Sequence, residues 1–256
     1  MNPLRSTIML LAVIAAGAIS VNLFFVPSSP GSVVIASTRV IYPAAEREVT
    51  VKLSNEGKVP VLVQAWVDDG HVNESPSMMD VPFTLTPPMF RLDPGKGQSL
   101  RLSYTKEPLP KDKESLFWLN VMEVPPKGKN NGDNPMLELA FRTRIKIFFR
   151  PQHLTGEANK APAQTKWEVI RRDKGYALKA SNPTPYYVNL GAVALMSGGK
   201  SFAAGQGYVK PFDSEVFPIQ GMTSAPNADP EVDYTSIDDY GVRTQGRESV
   251  SLNASP

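Results

Sequence analysis

The sequence predicts an all-β protein built as two sandwich domains, on three observations. Apolar and polar residues alternate with period two in Glu48-Val49-Thr50-Val51-Lys52-Leu53 and in Leu100-Arg101-Leu102-Ser103-Tyr104, the mark of half-buried strands. Turn clusters such as Ser54-Asn55-Glu56-Gly57 and Asp93-Pro94-Gly95 punctuate the chain at short intervals. Beyond the first thirty residues no apolar pattern of helical period is sustained.

Further strand candidates fall at Val33–Tyr42, Val61–Val67, Phe83–Leu92, Leu116–Glu123 and Leu137–Phe149. Seven strands within about 120 residues is the pattern of an immunoglobulin-like sandwich. After Phe149-Arg150-Pro151 the stretch Gln152 to Thr165 is polar and unpatterned, and reads as a linker and the entry to a second domain. Shorter candidates follow at Trp167–Ile170, Tyr176–Ala180, Tyr186–Leu190, Ala192–Leu195, Tyr208–Lys210, Glu215–Phe217, Val232–Ile237 and Ser249–Leu252. The expected organisation is a signal peptide or apolar leader over 1–31, an N-terminal domain over 32–151 and a C-terminal domain over 152–256.

At 256 residues the chain is long enough for two domains, each able to bury its own core. The 27 basic and 25 acidic residues are mixed along the chain and leave a charge of +2, which argues against nucleic acid as the partner. Cysteine is absent, so thiols say nothing about compartment. The leader does. Arg5 precedes an apolar run from Ile8 to Ser20, the layout of an export signal. Apolar residues resume through Val21–Val26, which brings the whole run near the length of a membrane span. Ala18-Ile19-Ser20 offers one small-x-small cleavage site and Ser29-Pro30-Gly31 a poorer one.

Catalytic constellations are scarce. His71 and His153 are the only histidines, fall in different predicted domains and have no cysteines to join them, so no metal site is expected. No Gly-x-Ser-x-Gly elbow is present, and Gly95-Lys96-Gly97 and Gly198-Gly199-Lys200 lack the spacing of a phosphate loop. The chain is therefore expected to be no enzyme and to use no cofactor, nucleotide or small-molecule substrate.

One segment is unusual for a sandwich. Leu137-Glu-Leu-Ala-Phe-Arg-Thr-Arg-Ile-Lys-Ile-Phe-Phe-Arg150 runs fourteen residues, where ordinary strands run five or six. With Leu137, Leu139 and Phe141 on one face it is either an edge strand that needs a partner or a bent core strand crossing between sheets. Spacing alone leaves both open.

The blocks Ser37–Pro43 (STRVIYP), Lys113–Val121 (KESLFWLNV), Arg144–Pro151 (RIKIFFRP), Asn182–Val188 (NPTPYYV) and Ile237–Gly241 (IDDYG) resemble, in order and spacing, those of the periplasmic pilus (fimbrial) chaperones of the chaperone–usher pathway. The resemblance covers the chain from about Ser32 onward. The short segment Val124 to Pro135 between the sixth and seventh strands is similar to that of the short-loop subclass.

The resemblance implies two immunoglobulin-like domains in a boomerang arrangement. It implies a periplasmic protein that binds, folds and caps pilus subunits and delivers them to an outer-membrane usher. By motif, Arg39 and Lys146 would hold the subunit's C-terminal carboxylate. Leu137, Leu139 and Phe141 would belong to a strand lent to the incomplete subunit, the mode called donor-strand complementation. Glu114, Arg150 and Asp239 would form an ion triad between the domains. Two rival readings share the predicted fold: a secreted immunoglobulin-like adhesin or structural pilus component, and a membrane-tethered module that retains residues 8–26.

Overall fold

The computed structural model describes residues 31–126, 139–172, 175–227 and 229–252. Among them the regular elements are strands and three short 3-10 turns. The first sandwich comprises β1 (Val33–Ile35), β2 (Arg39–Pro43), β3 (Glu48–Asn55), β4 (Val61–Asp68), β5 (Phe83–Thr86), β6 (Met89–Leu92), β7 (Gly97–Tyr104), β8 (Ser115–Val124) and β9 (Phe141–Arg150). Sheet β1-β3-β7-β5 packs on sheet β2-β9-β8-β4-β6. The second comprises β10 (Lys166–Arg172), β11 (Gly175–Ser181), β12 (Val188–Ser197), β13 (Lys200–Val209), β14 (Ser214–Pro218), β15 (Glu231–Ile237), β16 (Arg243–Ser249) and β17 (Ser251–Leu252). Its sheets run β14-β11-β10-β17 and β13-β12-β15-β16.

Two predicted runs are each two strands. Val33–Tyr42 breaks between Ile35 and Arg39, because β1 pairs with β3 in one sheet and β2 with β9 in the other. The chain changes sheets there, which no local pattern announces. Phe83–Leu92 breaks at Pro87-Pro88: proline cannot donate to a ladder, so β5 pairs with β7 on one side of the break and β6 with β4 on the other. The run read as starting at Leu137 is also shorter. Its strand is the ten-residue β9, Leu139 and Ala140 precede it without regular structure, and Leu137 lies outside the described residues.

The second domain departs from expectation in the opposite sense. Tyr186–Leu190 and Ala192–Leu195 belong largely to one strand, β12, whose register shifts around Gly191. β13 begins eight residues ahead of Tyr208, and β16 went unpredicted because Arg-Thr-Gln-Gly-Arg-Glu-Ser offers no apolar face. As an exposed edge strand it needs none. The supposed linker Gln152–Thr165 contains turns at Ala158–Lys160 and Pro162–Gln164 and buries Ala161 fully in the second core, with Leu154 and Ala158 against it. It is packed chain.

Each sandwich has its own core. Tyr42, Leu100, Leu102, Leu119 and Ile147 are fully buried in the first, and Leu178, Leu195, Val209 and Val232 in the second. Tyr42 ties β2 into place. Its ring stacks on Phe149 at 5.9 Å, while its hydroxyl donates to Arg47 O at 2.9 Å and accepts the Tyr104 N–H at 3.0 Å. Removing that oxygen takes a partner from the Arg47 carbonyl and from the Tyr104 N–H. Tyr42→Phe should therefore lower the first domain's stability by about 1–3 kcal/mol. Urea unfolding followed through the first-domain tryptophans checks this, and an unchanged midpoint would contradict it.

Candidate functional site

The site begins with an asymmetry in β9. On one side β8 pairs antiparallel with it along nearly its whole length, from Phe141 opposite Glu123 to Phe149 opposite Ser115. On the other side β2 runs parallel and pairs only with the last five residues, Arg39 opposite Lys146 through Pro43 opposite Arg150. Among the described residues, Phe141–Ile145 thus has a ladder partner on one edge alone.

Alternation sorts the strand's side chains. Ile145, Ile147 and Phe149 point into the first core and are buried. Phe141 and Thr143 share that face but lie where the core runs out: Phe141 is half-buried, and Leu139 ahead of it is 51% exposed. The opposite face carries Arg142, Arg144 and Lys146. Arg144 binds the fully buried Asp68 through Nε at 3.0 Å and through Nη2, and its guanidinium lies 4.1 Å from the Trp118 ring centroid. Arg142 donates to Asn120 Oδ1 from Nε and Nη2 at 2.9 and 2.7 Å and lies 4.9 Å from the Trp66 ring. These stacked cations brace the half-paired stretch through its face and leave its edge open. The sequence reading missed this cluster, although the alternation Arg142, Arg144, Lys146 was a signal for it.

At the point where β2 joins, Arg39 and Lys146 sit side by side in register. Both reach into a cleft of about 300 Å³ between the domains, lined also by Trp118, Asn189, Gly207 and Ile237. Lys146 Nζ donates to Asn189 Oδ1 at 2.7 Å and stands 4.3 Å from the Tyr208 ring centroid. Arg39 Nη1 donates to Ile237 O at 3.1 Å, while its buried Nε has no partner. Neither cation makes a salt bridge among the described residues. Burial, with the Arg39 charge adding to it, pushes the Lys146 ammonium down to about 8. Burial likewise lowers the Arg39 guanidinium, partly offset by the charges of Asp238 and Asp239. Two half-desolvated cations with neutral partners would gain from an added negative charge. Asn189 and Tyr208 come from β12 and β13 and were not predictable, because only the docking of the second domain brings them here.

The third predicted set does come together. Arg150 Nε donates to Glu114 Oε1 at 2.6 Å, and Nη1 and Nη2 donate to Asp239 at 2.7 and 2.9 Å. Glu114 reaches further: its Oε2 accepts the Tyr187 N–H at 2.7 Å, and its own N–H donates to Pro185 O at 2.9 Å. The Pro185 loop is held in turn by buried Asn182, which donates to Tyr186 O and accepts from Thr184. Burial pushes the Glu114 carboxyl up against the pull of Arg150. For Arg150 burial acts downward, and its hydrogen bonds to Asp239 together with the Glu114 charge more than reverse it. The two histidines remain apart, His71 in an exposed loop hydrogen-bonded to Asp69 and His153 just past β9.

Comparison with known proteins matches this arrangement. Residues 32–155 match the model of the pili and flagellar-assembly chaperone PapD N-terminal domain, and residues 160–248 that of the pili assembly chaperone PapD C-terminal domain. The chain is 41% identical over 225 residues to YadV of Escherichia coli (strain K12), described as a probable fimbrial chaperone, covering 87% of this chain and 91% of that one. The crystal structure of the YadV chaperone superposes with a TM-score of 0.75 at 39% identity, covering 86% of this chain and all of that one. The Salmonella enterica SafA pilin in complex with the SafB chaperone matches with a TM-score of 0.71 at 29% identity, covering 87% and 98%. The reading as an adhesin or structural pilus component is accordingly not favoured. On fold, family match and relatives together, the chain belongs to the family of PapD-like chaperones of pilus assembly.

Proposed function

We propose that this protein works in the periplasm, where it captures pilus subunits on the open edge of β9 and passes them to an outer-membrane usher. The observation that carries the reading is the half-paired strand ending at two uncompensated cations. A subunit strand added along Phe141–Ile145 would complete the missing ladder, and a chain terminus arriving at Arg39 and Lys146 would supply the missing anion. The relative SafB is known in complex with a pilin, which supports the same class of partner here. The leader at residues 8–26, outside the described residues, supports export. The segment Val124 to Pro135, similar in the sequence to that of the short-loop subclass, supports assignment to that subclass.

The energetics divide between the two parts. Each apolar side chain moved from water into a subunit groove contributes about 1.5–3 kcal/mol, so Leu137, Leu139 and Phe141 together outweigh any single polar contact. Each charge-assisted bond to the carboxylate adds about 1.5–3 kcal/mol and fixes the register that the apolar face alone would leave free to slip. The triad of Glu114, Arg150 and Asp239 holds the domains so that Asn189 and Tyr208 meet Lys146.

Lys146→Met should abolish subunit capture while the free protein melts at or above the wild-type temperature, because the substitution relieves a charge whose burial is costly. The pH dependence has a definite sign. Below about pH 8 the free lysine is already charged and affinity is flat. Above that, binding must take up a proton, so affinity should fall up to tenfold per pH unit. Titration calorimetry with a pilin across pH 7 to 10 reads both effects, and undiminished capture by the variant would refute the anion site.

Leu139 is exposed in the free protein, so Leu139→Glu should leave its melting temperature within a degree or two of wild type. Complex formation should collapse, since the carboxylate would be driven into the subunit's core. A steep fall in melting temperature with retained binding would place Leu139 in the chaperone's own packing instead.

A further inference from the structure

Three carboxylates are buried among the described residues: Asp68, Glu114 and Glu123. The first two each have an arginine, Arg144 and Arg150. Glu123 has none. It lies on the core face of β8 in line with Leu119 and Val121, 7% exposed, while Arg142 and Arg144 project from the opposite face of the sheet. Its donors come instead from the beginning of the described chain. Ser32 N–H donates to Oε2 at 2.8 Å, Ser32 Oγ–H to Oε1 at 2.6 Å and Val33 N–H to Oε2 at 2.9 Å. Ser32 is fixed from its other side as well, its carbonyl accepting the Glu56 N–H at 2.8 Å. Gly57 approaches so closely that a side chain there would meet Ser32 Cβ at 2.5 Å. Neutral donors satisfy the hydrogen-bonding capacity of this carboxylate but leave it without the opposite charge that the other two buried acids have.

We propose that the exported protein is cut between Gly31 and Ser32, and that the amino group so formed is the counter-ion of Glu123. Water adds across the peptide bond in the active site of a leader-processing peptidase, leaving a carboxylate on Gly31 and an ammonium on Ser32. That ammonium arises where a nitrogen already stands 2.8 Å from the carboxylate, and its three protons suit two carboxylate oxygens. The sequence is compatible: the apolar run ends at Val26, and Ser29-Pro30-Gly31 presents small residues at both required positions. The alternative after Ser20 would leave apolar Val21–Val26 on the exported chain. The inference rests on the export reading and adds to it a cleavage position and a structural use for the new terminus. Processing would then complete the first sandwich by supplying its last buried charge with a partner.

Expression of the full chain in an exporting Gram-negative host, periplasmic purification, intact mass and N-terminal sequencing test the position. A periplasmic protein starting at Ser32 is expected. One starting at Val21 or at any other residue, or an uncut protein anchored facing the periplasm, would overturn the proposal and leave export standing, whereas an uncut protein that stays in the cytoplasm would overturn both. The counter-ion role is read by NMR titration of the α-amino group. It should titrate at least one unit above its ordinary range of about 7.7–8.0 and return to that range in Glu123→Gln. An ordinary value unaffected by the substitution would overturn the pairing. As a check independent of that variant's folding, a mature chain carrying one additional glycine ahead of Ser32 displaces the ammonium with Glu123 intact. It should melt several degrees lower, and equal melting would contradict the pairing.

Discussion

The rest of the molecule depends on one constraint: among the described residues β9 is hydrogen-bonded on both sides for only half its length. β2 reaches Lys146 and no farther because the chain has just crossed from the other sheet between Ile35 and Arg39. That crossing leaves Phe141–Ile145 with an open edge and places the first residue of β2, Arg39, beside Lys146 at the end of that edge. An open edge invites indiscriminate pairing. Here the exposed stretch is guarded by Arg142 and Arg144, whose side chains are pinned to Asn120 and Asp68 and stacked on Trp66 and Trp118. These contacts fix the arginine side chains on the face of the strand and leave its backbone edge accessible.

Charge is distributed by the same logic. Arg150 has its charge paired with both Glu114 and Asp239 through Nε, Nη1 and Nη2, and it joins elements of both domains. Arg39 and Lys146, a few residues away along paired strands, have a carbonyl and an amide for company. A satisfied ion triad suits a joint, and an unsatisfied cation pair suits a binding site, because only the second gains when an anion arrives. Desolvation of Lys146 in the free protein sharpens the difference, because pairing with an anion would recover part of its cost.

Much of this was legible in residue order and some was not. Period-two alternation located the strands of the first domain, and the motif blocks marked Arg39, Lys146, Glu114, Arg150 and Asp239, which the fold brings together in two groups. Alternation could not reveal the crossing at Ser37-Thr38, because a strand that changes sheets keeps its local pattern while changing partners. β16 stayed hidden for the converse reason, being a fully polar edge strand held by its ladder to β15. Asn189, Trp118 and Tyr208 entered the cation site only through tertiary packing. Leu139 and Phe141 were marked by their spacing, yet whether they faced the core or an open edge depended on where β2 stops, a fact of register that no single segment contains.

The central claim is that a subunit strand is added to the open half of β9. Hydrogen exchange of the backbone amides across Leu139–Ile145, measured on the free protein and on its complex with a pilin, tests it most directly. The account predicts fast exchange for the edge-facing amides of this stretch in the free protein and strong protection in the complex, with Lys146–Arg150 protected in both. A stable complex that leaves exchange across Leu139–Ile145 unchanged would contradict it.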